Sequence, residues 1–285
     1  MALVPHINAK EYDAVMYKLR DFFRTKGYLE THVQNRLDIL AACEDPTTIS
    51  TFRYPTSTKT ESEFPLPQTG QMRLENDLLC DHSLPGIYCL TTSYRAEPKP
   101  VPGRHDYTFP LFEFESPGTF DDLVQTCDEL VQFLGLTQGP APKFDYEFLC
   151  KLFQVDELTH DHERRLEEMY GPVVFIMNFP SRTSPFFNMK QHRNNPDLYY
   201  KMDVIIGGAE TIGSAERETD VDMMKANFYT ISQGEYAATL FKKFGDARVL
   251  DELNQFLAHD FIARFGGGIG ITRLIRAMKK YKLLY

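Results

Sequence analysis

From Ala9 to Thr25 the apolar residues Tyr12, Val15, Met16, Leu19, Phe22 and Phe23 recur at three- and four-residue spacing, with charged positions between them. That period predicts a helix with one buried face, and Lys26-Gly27 closes it, Gly27 standing where a helix C-terminus favours glycine. Tyr28 to Val33 reads as a short strand. From Cys43 to Gln68 the chain is rich in Thr, Ser and Pro without clear periodicity, which predicts loops and short edge strands. Leu74 to Cys80 returns to helical spacing. Ile87–Arg95 and Thr108–Ser116 are dense in β-branched, aromatic and apolar residues and flank a proline-rich connection, Glu97 to Arg104, so they predict an antiparallel pair joined by a stiff loop.

Thr119 to Leu134 is again helical, with Asp121 and Asp122 placed in its first turn to favour the helix dipole. Gly139-Pro140-Ala141-Pro142 breaks the pattern, and the residues that follow, His160 to Glu168 among them, read as a polar, mostly helical excursion at about 140–172. Val173–Phe179 and Tyr199–Ile206 are apolar strands, and Asp220–Leu257 is a charged helical region with a break near Gly245-Asp246. Phe265 to Leu274 reads as a glycine-rich strand running into a helix. This order predicts an α+β fold, a mainly antiparallel sheet flanked by helices, in a single domain over 1–285. No Gly-x-Gly-x-x-Gly or Gly-x-x-x-x-Gly-Lys-Ser/Thr element follows an early strand, which removes the main support for a dinucleotide fold or a P-loop.

Composition narrows the picture. The 285 residues, 42% hydrophobic and 25% charged, suffice for a substantial core, and the net charge of −9 argues against a broad surface for nucleic acid. Cys43, Cys80, Cys89, Cys127 and Cys150 are scattered and odd in number, so neither a disulfide framework nor a thiolate metal site is indicated; a reducing cytoplasm fits, and no segment suits a membrane.

Four clusters carry candidate chemistry. Tyr94-Arg95-Ala96-Glu97 ends one strand of the hairpin, and Arg104-His105, Phe109 and Glu113 lie on the return, bringing guanidinium groups for phosphates near an aromatic ring for a purine. Asp203 and Glu210 bracket Ile205-Ile206-Gly207-Gly208, two hard oxygen ligands suited to Mg²⁺. Arg217 follows Ser214-Ala215-Glu216, placed for a substrate carboxylate or amide, and Arg273 emerges from the glycine run. His160-Asp161-His162 reads as a solvated helix start rather than a metal site, and Lys279, Lys280 and Lys282 as dipole-favoured residues at a helix end.

Taken together these segments resemble the catalytic domain of class II aminoacyl-tRNA synthetases, in the aspartyl/asparaginyl branch with its related asparagine synthetases. Arg95-Ala96-Glu97 to Arg104-His105 and Phe109 is similar to the second signature motif. Gly266-Gly267-Gly268-Ile269-Gly270 to Arg273 is similar to the third, and Glu210 to Glu218 to the branch's Glu-x-x-Gly-Gly-x-x-Arg segment. Thr69-Gly70-Gln71-Met72-Arg73-Leu74-Glu75 is similar to the Ser-Gly-Gln-Leu-x-x-Glu of asparaginyl enzymes. The resemblance implies ATP and Mg²⁺: Arg95 on the α-phosphate, Arg104 and His105 on the β- and γ-phosphates, Glu97 within the ATP site, Phe109 and Arg273 about the adenine, and Asp203 and Glu210 on metal. It implies Thr69, Gln71, Glu75, Glu113 and Arg217 around the amino acid, with Gln71 and Glu113 at its ammonium group and Arg217 at its distal end. Arg95 and Arg273 are the expected catalytic residues.

The departures are specific. Gln34 stands where the first motif carries a proline, Thr272 where the third carries an acidic residue, and Glu113 where the family often has Asp. An anticodon-binding barrel normally precedes the core in this family, and the expectation here is a bare catalytic core, forming a homodimer. Three functions follow. One is an asparagine synthetase that adenylates the aspartate side chain and aminates it with ammonia. Another is a ligase that activates the α-carboxylate of asparagine or aspartate for an amine, a carrier or a tRNA, favoured by Leu74 where aspartate-binding relatives place a Lys. The third is a non-catalytic regulatory paralogue. The sequence reading places the synthetase first and tRNA behind ammonia as acceptor.

Overall fold

The computed structural model describes residues 7–33, 38–42, 44–55, 61–101 and 106–284. In chain order the elements are α1 (Ala9–Thr25), β1 (Leu29–Glu30), α2 (Ile39–Ala42), the hairpin of β2 (Thr51–Pro55) and β3 (Glu61–Pro65), α3 (Gln71–Cys80), β4 (Ile87–Tyr94), β5 (Thr108–Pro117) and α4 (Phe120–Phe133). Then come β6 (Lys143–Asp145), α5 (Tyr146–Phe153), α6 (His160–Tyr170), β7 (Val173–Pro180), β8 (Gln191–His192), β9 (Asn195–Ile206) and β10 (Ala209–Glu216). The chain continues through α7 (Val221–Thr230), α8 (Glu235–Phe244), α9 (Asp246–Leu257), β11 (Arg264–Gly270) and α10 (Ile271–Lys280).

The main sheet runs β1-β4-β5-β11-β10-β9-β7-β6, with β8 beside β9. Only the outermost pairs, β1 with β4 and β6 with β7, are parallel; every pairing between them is antiparallel. The expected hairpin is β4–β5, in register from Ile87↔Glu115 to Tyr94↔Thr108.

Strand alternation explains how the sheet divides its two faces. On β5, Phe112 and Phe114 point into a core shared with Phe22 and Phe23 of α1, Leu123 of α4 and Leu274 of α10; on β9, Met202 and Val204 do the same. Phe23 is central to this core, its ring lying 5.0 Å from Phe114 and 5.2 Å from Phe112. The intervening residues, Glu113 and Glu115 on β5 and Lys201 and Asp203 on β9, therefore face the other way. A second cluster built from α2, α7, α8 and α9, with Phe187 and Phe228 fully buried, closes over part of that opposite side.

Two expectations change. The 140–172 stretch is helical over α5 and α6, but it is bound into the sheet: β6 pairs with β7, and Tyr146, Leu149, Cys150 and Leu166 bury against Val174, Ile176 and Ile205. The break near Gly245 is joined by another at Ile231–Gly234, where Ser232 and Gln233 take φ of 52° and 58°. His160–Asp161 do open a helix, His162 accepting from the Thr159 N–H. Among the described residues no helix is long and apolar enough to cross a membrane.

Candidate active site

Strand β11 lies between β5 and β10, and two of its glycines fall opposite the two glutamates of β5: Gly266↔Glu115 and Gly268↔Glu113. A Cβ on Gly266 would stand 2.1 Å from the Glu115 carboxyl carbon, and one on Gly267 would stand 2.7 Å from Cβ of Ser214. Those two glycines make room for neighbouring side chains. Only Gly268 and Gly270 of the run border open space, a cavity of ≈ 410 Å³. The glycine run is thus half packing and half cavity wall.

Behind that wall lies a closed set of charges. Arg217 donates from Nε to Glu115 Oε1 at 3.0 Å and from a terminal nitrogen to Gln71 Oε1 at 2.9 Å, and it stands 3.5 Å from Glu75. Arg264 grips Glu75 through Nε at 3.0 Å and a terminal nitrogen at 2.7 Å, and Asn188 donates to the other oxygen of Glu75 at 2.7 Å. All four charged side chains are within 2% of full burial. Burial pushes the Glu115 carboxyl above its ordinary range, and Arg217 opposes the shift. Glu113, also fully buried, accepts from the hydroxyls of Thr69 and Thr91 and from the Gly70 N–H at 2.8 Å, so its carboxylate fixes the turn that presents Gln71.

The cavity gathers Thr69, Gln71, Arg95, Glu97, Phe109, Glu113, Asp203, Glu210, Arg217 and Arg273, residues far apart in the chain. Glu75 does not border it; its oxygens serve Arg264, Arg217 and Asn188 one layer behind. Arg104 and His105, expected on the phosphates, and Gln34 of the first motif lie outside the described residues. Toward the hairpin end, Arg95 donates to Glu44 Oε2 at 3.1 Å and to Ser93 Oγ at 3.3 Å, and Arg273 donates to the Glu210 carbonyl oxygen at 2.5 Å. Among the described residues Arg95 engages two oxygens and Arg273 one, and each guanidinium has further N–H donors.

The expected metal position is different from what residue type alone suggests. Both oxygens of Asp203 accept from Lys201 Nζ, each at 2.9 Å, and the same ammonium lies 3.6 Å from the centre of the Phe179 ring. Glu210 is close by: a Cβ on Gly213 would lie 3.3 Å from Glu210 Oε1 and 3.8 Å from Asp203 Oδ1. Burial raises the Asp203 carboxyl above its ordinary range, with Lys201 opposing and Glu210 adding to the rise. Among the described residues no group of three or more His, Cys, Asp or Glu side chains is arranged to hold a metal ion. An ion on Asp203 does not fit this arrangement, because the carboxylate is already engaged by a cation.

Lys201, Glu44, Glu115 and Arg264 are not among the residues that the sequence motifs single out. Two of these carried a signal. Lys201 precedes Asp203 by two residues in a strand, which puts both on one face, and Glu115 follows Glu113 by the same interval in an otherwise apolar strand. Arg264 and Glu44 had none, since their partners are 189 and 51 residues away.

A family model described as tRNA synthetases class II (D, K and N) matches residues 7–282. The chain is 24% identical over 229 residues to an aspartate–tRNA(Asp) ligase of Pyrobaculum aerophilum, covering 69% of this chain and 48% of that protein. It is 23% identical to an asparagine–tRNA ligase of Lactococcus lactis, covering 92% and 63%. It therefore spans between about half and two thirds of the length of these relatives. Asparaginyl-tRNA synthetase of Pyrococcus horikoshii, solved with asparaginyl-adenylate, has the same fold at a TM-score of 0.76 and 22% identity, over 95% of this chain and 64% of that one. With nearly its whole described length matched and the cavity assembled from the motifs of that group, the chain belongs to the class II tRNA synthetases of the D, K and N family.

Proposed function

We propose that this chain is the catalytic unit of an AMP-forming ligase that activates asparagine and transfers it to a tRNA. The observation that carries the choice of amino acid is the charge balance behind Arg217. Two buried guanidiniums, Arg217 and Arg264, already face two buried carboxylates, Glu75 and Glu115. Whichever carboxylate of aspartate were activated, the other would arrive as a further anion where, among the described residues, both guanidiniums already pair with carboxylates, at a desolvation cost that pairing would not offset. The neutral amide of asparagine adds no charge and needs only hydrogen bonds. For that reason the asparagine-forming synthetase, with aspartate and ammonia as its substrates, stands behind this reading. The tRNA acceptor rests on the names of the relatives.

In the proposed reaction an oxygen of the asparagine α-carboxylate attacks the α-phosphorus of ATP, the bond to the bridging oxygen breaks, and asparaginyl-adenylate and pyrophosphate form. Arg95, which borders the cavity, is assigned the neutralising of charge that builds on the α-phosphate. Phe109 and Arg273 offer an aromatic face and a guanidinium plane to the purine. Gln71, its carbonyl held by Arg217, and the turn fixed by Glu113 orient the amino acid. The rate gain is ascribed to positioning and to charges fixed in advance, with no side-chain nucleophile. Mg²⁺ is proposed to arrive on the ATP phosphates, for which it is the suitable hard cation.

The test is amino-acid-dependent pyrophosphate exchange with asparagine and aspartate compared, followed by transfer to tRNA. Exchange driven by asparagine is expected. Exchange driven by aspartate alone, with asparagine released when ammonium is supplied, would overturn the reading in favour of the synthetase, and no exchange with either would favour the non-catalytic paralogue.

A further inference from the structure

We infer that Lys201 takes the place of a divalent ion at Asp203, so that this chain carries, as part of its own covalent structure, a positive charge the metal would otherwise supply. Three features of the geometry converge on this. The ammonium bonds both Asp203 oxygens at 2.9 Å, a two-pronged contact that engages each oxygen with a cation already in place. The contact is backed from another direction, since Nζ stands 3.6 Å from the centre of the Phe179 ring, whose face favours a cation. And the register of the sheet builds it in: Asp203 lies opposite Gly213 and Lys201 opposite Ala215 on β10, so small residues leave the space into which both side chains turn.

Access does not explain the arrangement. Lys201, Asp203 and Glu210 border the main cavity on one side and a second cavity of ≈ 380 Å³ on the other, so a hydrated ion could reach the carboxylates by either route. To bind there it would have to expel the ammonium, which would then remain beside it as a like charge away from bulk water. A flexible, strongly hydrated lysine head is suited to stay on the carboxylate until a phosphate oxygen offers itself from the cavity. Lys201 is then a positioning charge for the ATP phosphates, and this role rests on the adenylating reading above.

The experiment is a Mn²⁺ titration followed by electron paramagnetic resonance, done without nucleotide so that its outcome is independent of which reaction the protein performs. Wild type should bind no Mn²⁺ at this position. Lys201→Gln, folded by circular dichroism, should gain a site roughly tenfold or more tighter than any in wild type, as expected when an oxygen-ligand pair is vacated. Lys201→Gln/Asp203→Asn should lose it, and Lys201→Arg should behave as wild type. A wild-type Mn²⁺ site that disappears in Asp203→Asn overturns the inference whether or not the Lys201 variants fold. So does a folded Lys201→Gln that gains nothing.

Discussion

The two ends of the cavity treat charge in opposite ways. At the Arg217 end, two guanidiniums and two carboxylates are locked together away from water, each contact shared among several partners. At the other end, Arg95 leans on Glu44, whose side chain is 34% exposed, Lys201 rests on Asp203, and Arg273 donates to the Glu210 carbonyl. A network of the first kind resists rearrangement, because removing any one partner strands a buried charge. A partly exposed pair such as Arg95 with Glu44 exchanges partners at little cost, whereas the more buried Lys201–Asp203 pair gives way only to another anion. The closed end is therefore built to define a shape, and the open end to meet an anion that comes and goes.

The largest test of that contrast is Arg264→Met. It leaves Glu75 with Arg217 at 3.5 Å as its cation and the Asn188 amide as its donor, and should lower stability by about 3–5 kcal/mol in urea unfolding. A loss below about 1 kcal/mol would mean the closed end is no more rigid than a surface pair. Arg273→Ala probes the open end. It should lower pyrophosphate exchange by roughly 10²–10³-fold, the usual consequence of removing one fixed donor, with the circular dichroism spectrum unchanged. Full activity in that variant would refute the assignment of the nucleotide site.

The glycine run that separates the two ends offers a finer comparison. Gly266→Ala drives a methyl into the Glu115 carboxylate and should cost about 1–3 kcal/mol of stability. Gly268→Ala meets Gln71 Nε2 at 3.3 Å beside the cavity, so its effect should fall on the KM for the amino acid instead. Equal stability losses in the two would show that the run is uniform packing.

What could be read from the sequence follows the reach of each interaction. The β4–β5 hairpin and the β11–α10 junction were legible because their patterns are local: alternation over eight to ten residues, and glycines leading into helical spacing. Most site residues were legible through motif spacing, and the cavity does gather them. Glu75 was placed a layer too far forward, since nothing near it in the chain announces Arg264 across 189 residues. Residue type alone makes Asp203 a candidate metal ligand, and strand alternation adds what the motif does not announce, Lys201 on the same face and bonded to both its oxygens. The 140–172 stretch reads as polar because its charges are conspicuous, while Tyr146, Leu149, Cys150 and Phe153 form a narrow buried stripe that α6, β7 and β9 complete.

The smallest expected effect supplies the background against which pH dependence at either end must be judged. Glu252 on α9 accepts the Ile39 N–H at 2.6 Å, and burial pushes its carboxyl up to about 7 from an ordinary 4.5. A carboxyl raised by folding favours the folded state only while protonated, so this contribution is full below about pH 4.5 and is lost as pH climbs through 7. Fully sheltered, the displacement would be worth about 3 kcal/mol. With the side chain 21% exposed, about 1–2 kcal/mol is expected. Glu252→Gln keeps an acceptor for Ile39 without the charge. It should therefore be more stable than wild type by that amount at pH 8, with the gap closing toward pH 5. Urea unfolding at the two pH values checks it, and a gap that is absent at pH 8, or constant across the range, removes Glu252 as the source of the slope and returns the pH dependence to the carboxylates of the cavity.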